Sequence, residues 1–202
     1  MRGDRRFAEL GVATIYEAAG RDGLVGGSLL RIIEGSRAAG PARTALCGAN
    51  DNLAVHRLLA TVEPEYLIVL TTAGQAGAAL VGEILALQAR VRGAAGILVD
   101  GPVRDADELL ELGLPIWARS VCAAGAVKDE QGELDVPVDV GGVTIRPGDL
   151  VVLDGDGAVV VARARAEDVL GAAEARLRAE LALMARLGAG EVTLDAMKLR
   201  GS

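Results

Sequence analysis

Residues 96–112 read G-I-L-V-D-G-P-V-R-D-A-D-E-L-L-E-L: an apolar run, a Gly-Pro pair, then an adjacent Arg-Asp pair opening a helical pattern. Ile97, Leu98 and Val99 have the length and branched content of a buried strand, and Gly101 and Pro102 are expected to end it. Leu109, Leu110 and Leu112 then resume at helical spacing until Gly113 and Pro115 stop the helix. Arg104 and Asp105 are therefore expected where the carboxyl end of a strand turns into the amino terminus of a helix. Open α/β sheets leave a crevice and free backbone N–H groups there. A cation and a carboxylate side by side at such a place can hold an anionic substrate and a metal together. A second reading stands beside this one: residues 105–108 (Asp-Ala-Asp-Glu) also form a capping box, in which Asp105 accepts from backbone N–H groups and Glu108 reaches back.

Working outward, residues 65–70 give another apolar strand, 71–77 a loop of small residues, and 78–91 a helix. With 96–112 this makes a βαβ unit, for which a right-handed parallel crossover is the default. Two successive strand carboxyl ends then face one crevice, and Glu83, early in the first helix, is expected to converge on Arg104 and Asp105. Taken alone, Glu83 reads as a solvated helix residue. Upstream, an Asx cap at Asp51 predicts a helix over 52–61 that carries His56. With no second His or Cys nearby, that histidine reads as a surface or satisfied polar residue rather than a ligand. Residues 7–20 predict a short helix ending near Gly20, with Thr14 as cap for its second half. A strand is expected over 31–37, broken at Gly40-Pro41 and resuming over 44–47.

Downstream, 115–119 reads as a strand and 128–132 as a polar turn. Residues 136–161 are different in kind, with four short β-rich runs separated by Gly-Gly, Arg-Pro-Gly-Asp and Asp-Gly-Asp-Gly turns, the pattern of an antiparallel meander. The last helix opens at 166 and carries one apolar stripe (169, 170, 173, 177, 181, 184, 187) that must cover the sheet or a neighbouring subunit. Residues 191–202 read as a loosely docked tail. The whole predicts an α/β single domain over 1–202: a parallel βαβ core, an antiparallel β meander and a long C-terminal helix, with 164–202 as a helical extension.

Composition excludes several classes of function. A net charge of −7 without any basic run argues against nucleic acid or an anionic membrane as partner. Four aromatic residues (Phe7, Tyr16, Tyr66, Trp117) are too few for base-stacking platforms. Cys47 and Cys122 have neither metal-ligand nor disulfide-framework spacing and read as core thiols of a cytoplasmic protein. No membrane span or apolar leader is legible, so a soluble, unprocessed chain is expected. A Schiff-base mechanism needs a buried lysine, yet Lys128 lies in a polar turn and Lys198 in the tail. A zinc site built from several histidines is impossible with one. No nucleophile elbow, phosphate loop or dinucleotide fingerprint occurs, and Gly125 and Gly141-Gly142 lack phosphate-loop spacing. What remains is carboxylate chemistry on a hard divalent cation, Mg²⁺ or Mn²⁺.

Several stretches together carry a resemblance: 51–54 (D-N-L-A), 82–83 (G-E), 96–105, 141–149 (G-G-V-T-I-R-P-G-D), 154–161 (D-G-D-G-A-V-V-V) and 173–191. In that order they resemble the class II pyruvate aldolases acting on 4-hydroxy-4-methyl-2-oxoglutarate and 4-carboxy-4-hydroxy-2-oxoadipate, a family shared with the RraA-like regulators of ribonuclease E. The resemblance implies a swivelling β/β/α fold assembled as a homotrimer or hexamer with sites between subunits. It implies Asp105 as direct ligand of Mg²⁺ or Mn²⁺, Glu83 holding the ion through water, and Arg104 on the keto or enolate oxygen of a small 2-oxo acid. Backbone amides of Ile84 and Leu85 behind Gly82 would cradle the substrate carboxylate. Glu180 would reach the metal waters of a neighbouring subunit; read by itself, it is an exposed helix residue pairing with Arg176. The implied activity is retro-aldol cleavage to pyruvate with oxaloacetate decarboxylation, and the alternative is a non-catalytic regulator that binds a ribonuclease. Residues 71–78 and 119–126, on the specificity side, are poorer in polar groups than the family's loops.

Overall fold

The structure, a computed structural model, describes residues 5–74 and 76–199. Residues 1–4, Gln75 and the end of the tail, 200–202, lie outside the described residues. In chain order the elements are α1 (Arg5–Ala18), β1 (Leu30–Arg31), β2 (Ala38–Cys47), α2 (Leu53–Thr61), β3 (Leu67–Thr72), α3 (Glu83–Val91) and β4 (Gly96–Val103). They continue as α4 (Ala106–Leu112), β5 (Ile116–Val121), β6 (Glu133–Leu134), β7 (Val138–Val140), β8 (Val143–Ile145), β9 (Leu150–Asp154), β10 (Gly157–Val161), α5 (Ala166–Gly188) and α6 (Thr193–Ala196).

The expected βαβ unit is the centre of the molecule. β2, β3, β4 and β5 are mutually parallel neighbours, and α3 and α4 are the links from β3 to β4 and from β4 to β5. β3 is buried along Leu67–Thr71, as a strand covered on both faces must be, which is why its sequence is continuous rather than alternating. The sheet runs β1-β5-β4-β3-β2-β9-β10, with β6 against β2. It is nearly closed, because one stretch of chain caps both of its edges. Residues 23–25 pair with the free edge of β10 (Val25 N to Ala158 O, 3.0 Å; Val160 N to Gly23 O, 2.9 Å), while β1 a few residues later pairs with β5.

Three apolar clusters follow from this closure. Inside the curved sheet, Trp117 packs with Val69, Leu98, Val151 and Val160, and its indole N–H donates to the carbonyl of Asp154 across the interior (2.9 Å). Under α2, α3 and α4 lies a second cluster built on Leu58, Leu59, Ile68, Leu85 and Leu109. α1 and the first half of α5 cover the outer face of β9 and β10 with Phe7, Ile15, Val169 and Leu170. No helix among the described residues is long and apolar enough to cross a membrane.

Four expectations are corrected. Gly40-Pro41 does not break a strand: β2 runs through it and changes partners there, Ala38–Pro41 pairing antiparallel with β9 and Ala42–Cys47 parallel with β3. Proline, lacking an N–H, fits the residue at which one ladder is exchanged for the other. The expected strand over 31–37 shrinks to β1. Residues 136–161 form two separate hairpins rather than one meander: β7-β8 stands alone and plugs the sheet interior with Val138, Val140 and Ile145, whereas β9-β10 joins the main sheet. Finally, α1 is kinked at Gly11 (φ 80°), and its second half is capped by the Asp154 carboxylate, which accepts from Val12 N at 2.9 Å, rather than by Thr14.

Candidate functional site

Gly101 and Pro102 do not end β4 either; they shift its register against β5 between Val99 and Pro102. Beyond the shift the strand is gripped by a new neighbour. Leu80 N donates to Pro102 O (3.0 Å) and Arg104 N to Val81 O (3.0 Å), so residues 80–82 run beside 102–104. On the other side Cys122 N donates to Val103 O (2.9 Å). These bonds fix the start of α3 next to the start of α4. They explain how Glu83, Arg104 and Asp105 meet despite their separation in sequence.

Asp105 does not take the capping role. It occupies the position before α4 in the left-handed region (φ 58°, ψ 46°) and makes no side-chain cap with its own helix. A non-glycine residue held there costs on the order of 1 kcal/mol, and such strain concentrates at functional sites. Its carboxylate turns away to the neighbouring helix: Oδ2 accepts from Glu83 N at 3.0 Å and lies 3.5 Å from Arg104 Nε. The capping box is therefore not formed.

The remaining geometry suits an anion and a hydrated cation. α3 begins at Glu83 behind the extended Gly82, which leaves the first-turn amides of Ile84 and Leu85 without acceptors one turn earlier. Asp105 Oδ1 and the exposed Glu83 carboxylate engage no other described residue. Among the described residues no group of three or more His, Cys, Asp or Glu gathers to hold a metal. The Asp105 carboxylate, bonded to the backbone of Glu83 beside a cleft lined by Gly82, Ile84, Leu85 and Arg104, does suit a hard cation that keeps several waters and needs only one or two protein oxygens. Glu180 lies elsewhere in the chain, on α5, paired with Arg176 at 2.8 Å.

Three further residues border the same cleft, which has a volume of about 100 Å³: Asn52, His56 and Lys128. Asn52 donates from Nδ2 to Leu80 O (3.0 Å), yet its buried Oδ1 and the buried Nε2 of His56 have no partner among the described residues. Burial, reinforced by the Lys128 charge, holds the His56 imidazole below its ordinary pKa. His56 is therefore neither the surface residue nor the satisfied one that was expected, and the apolar positions of α2 alone did not foretell it. The missed signal is the i, i+4 spacing of Asn52 and His56, which puts both on one side of α2. Cys47 is the expected core thiol, its pKa pushed up to about 12 by burial and then by Asp51. Cys122 is half-buried, its thiol 3.6 Å from Gly77 O, and not in the core.

Asp51 ties this wall together. Its Oδ1 accepts from Leu53 N (2.8 Å) at the start of α2, and its Oδ2 accepts from Asp129 N (2.5 Å) and Glu130 N (2.9 Å) in the loop carrying Lys128. Burial alone would raise this carboxyl group; the three backbone donors, helped by the Lys128 charge, outweigh it and hold the pKa below the ordinary value. A depressed folded-state pKa contributes stability that is present above the unfolded value of about 4 and is lost as pH falls through the folded one. Asp51→Asn is accordingly expected to cost about 3 kcal/mol at pH 7 and to flatten the loss of stability below about pH 4. Urea midpoints measured from pH 3 to 7 check this, and parallel wild-type and variant curves would refute it.

Residues 12–160 match the RraA-like family (Aldolase/RraA). A protein of Halalkalibacterium halodurans, named as a candidate 4-hydroxy-4-methyl-2-oxoglutarate aldolase, is 38% identical over 137 residues, 68% of this chain and 65% of that protein's length. A crystal structure of an uncharacterized Pseudomonas syringae protein aligns with a TM-score of 0.86 at 26% identity over 98% of this chain and 96% of that one. An unusual member of the RNase ES inhibitor RraA family from Streptomyces coelicolor aligns with a TM-score of 0.77 at 32% identity, over 89% and 96% of the two chains. The chain belongs to the RraA-like family.

Proposed function

We propose that this protein is a divalent-metal-dependent lyase that cleaves 4-hydroxy-4-methyl-2-oxoglutarate or a related 4-hydroxy-2-oxo acid to pyruvate, with oxaloacetate decarboxylation as a companion activity. The observation that carries the reading is Asp105: a strained left-handed residue that forgoes capping its own helix and stands instead against the Glu83 amide and beside Arg104, which lines a cleft. The aldolase-named relative supports the reaction class.

In this reading Asp105 and Glu83 hold Mg²⁺ or Mn²⁺, whose contribution is Lewis acidity toward the carbonyl of a 2-oxo acid. The free amides of Ile84 and Leu85 receive the substrate carboxylate at the positive end of α3. Cleavage breaks the C3–C4 bond, the C4 hydroxyl loses its proton, and the electron pair moves to the C2 oxygen as pyruvate enolate, which then takes a proton at C3. Arg104 donates to that developing oxyanion. Oxaloacetate releases CO₂ in place of a carbonyl product and passes through the same enolate.

The reading includes a homotrimer or hexamer with the site completed between subunits. Two unpartnered apolar stripes support it. Ile84, Leu87 and Val91 line the exposed side of α3 beside the site, and Leu177, Leu181 and Met184 flank Glu180 on the outer half of α5. Packing one on the other would bring a neighbour's Glu180 to the Glu83–Asp105 wall.

Purified protein is expected to release pyruvate from oxaloacetate or 4-hydroxy-4-methyl-2-oxoglutarate when Mg²⁺ or Mn²⁺ is supplied, and to stop when EDTA is added. Activity that survives EDTA and is trapped by borohydride would sink the metal mechanism. The second reading, a regulator of a ribonuclease, is favoured by the Streptomyces coelicolor neighbour. Metal-loaded protein that turns over neither compound but inhibits a ribonuclease would establish it instead.

A further inference from the structure

We infer that Gly125 is a positioning residue: by lacking a side chain it sets the seat of the Arg104 guanidinium. The inference rests on the lyase reading for its effect on turnover, and on geometry alone for the seat itself. Among the described residues the guanidinium has a single partner, Asp105, at 3.5 Å from Nε, and its Nη atoms receive no hydrogen-bond acceptor. Shape rather than hydrogen bonding therefore fixes its far end. Two glycines supply that shape. A methyl group on Gly82 would stand 2.9 Å from Arg104 Cγ, 3.0 Å from its Nε and 2.3 Å from Asp105 Oδ2; one on Gly125 would stand 2.7 Å from Nη1 and 3.8 Å from Cζ.

Gly125 is not required by its own backbone, since it lies outside the left-handed region and, among the described residues, its side chain would crowd Arg104 alone. The loop bearing it is fastened at both sides, by Ala79 N to Ala124 O (2.8 Å) and by Val127 N to Asn50 O (2.9 Å). A bulkier residue at 125 must thus push the guanidinium, the flexible party, and not the loop. A displacement of about 1 Å at a group that donates to a developing charge is enough to cost on the order of 10²-fold in rate.

The experiment is Gly125→Ala in the full chain, followed by the side-chain Nε–Hε resonance of Arg104, assigned by its loss in Arg104→Lys. We expect the resonance to shift while the thermal midpoint stays within about 2 °C of wild type. Pyruvate release from oxaloacetate should fall about 10²-fold in kcat. In the Arg104→Lys background, adding Gly125→Ala should change turnover by less than about threefold, because the group it acts through is already gone. An unmoved Arg104 resonance, or fully additive losses in the double variant, overturns the inference. Should Gly125→Ala fail to fold while the double variant folds, the clash lies with Arg104 and the inference stands; if neither folds, Gly125 serves the backbone and it falls. A wild-type chain that releases no pyruvate defeats the lyase reading alone, and the resonance still decides the seat.

Discussion

Arg104→Lys is expected to lower kcat for pyruvate release by about 10² to 10³, the loss typical of removing one oxyanion donor, while leaving the fold and divalent-cation affinity nearly intact. Lysine keeps the charge but loses the planar fork that can face both a substrate oxygen and Asp105. The structure sharpens the comparison with Asp105→Ala. Because the Asp105 carboxylate accepts from Glu83 N and does not cap α4, its removal costs one hydrogen bond to α3, about 1 kcal/mol. Loss of the left-handed strain at an alanine would not be recovered, since alanine tolerates that region no better. Asp105→Ala should therefore abolish cation binding, read by calorimetry with Mn²⁺, with only a small shift in urea midpoint. Wild-type turnover of oxaloacetate by Arg104→Lys at saturating Mg²⁺ would make the pair a structural device and the regulator the better reading.

The parallel core was legible in the sequence because strands buried on both faces read as unbroken apolar runs, and 66–70 and 97–99 are such runs, the second set between Gly96 and Gly101. Partner exchange was not legible. Nothing local distinguishes a Gly-Pro that ends a strand from one at which β2 leaves β9 for β3, because the difference lies in residues more than a hundred positions away. The same limit applies to Asp105. A carboxylate three residues before Glu108 satisfies the spacing of a capping box, and only the approach of residues 80–83 to 102–104 shows that a different helix claims it. That Asn52 and His56 border the cleft was not legible for a related reason. Their unsatisfied atoms become informative only once burial is known, and burial of a polar atom depends on what the fold lays over it.

The outer half of α5 leads to the second large effect. Its first three apolar positions, Val169, Leu170 and Ala173, are buried against α1 and the sheet, but Leu177, Leu181 and Met184 remain 37%, 55% and 64% exposed although they continue the same stripe. A helix whose apolar face outruns its own domain marks an interaction surface. Leu181→Asp separates the alternatives cleanly: in a monomer it exchanges one exposed side chain for another and costs little, whereas in an assembly it buries an unpaired charge. That burial costs about 2 to 4 kcal/mol per contact, or roughly 30- to 10³-fold in association. Wild-type protein is therefore expected to scatter light as a trimer or a multiple of three, and Leu181→Asp as a monomer with pyruvate release near background. Glu180→Gln should keep the assembly and weaken Mn²⁺ affinity by about tenfold, as loss of an outer carboxylate does. A wild-type monomer with full activity would count decisively against the shared site, and so would a monomeric Leu181→Asp that turns over at the wild-type rate.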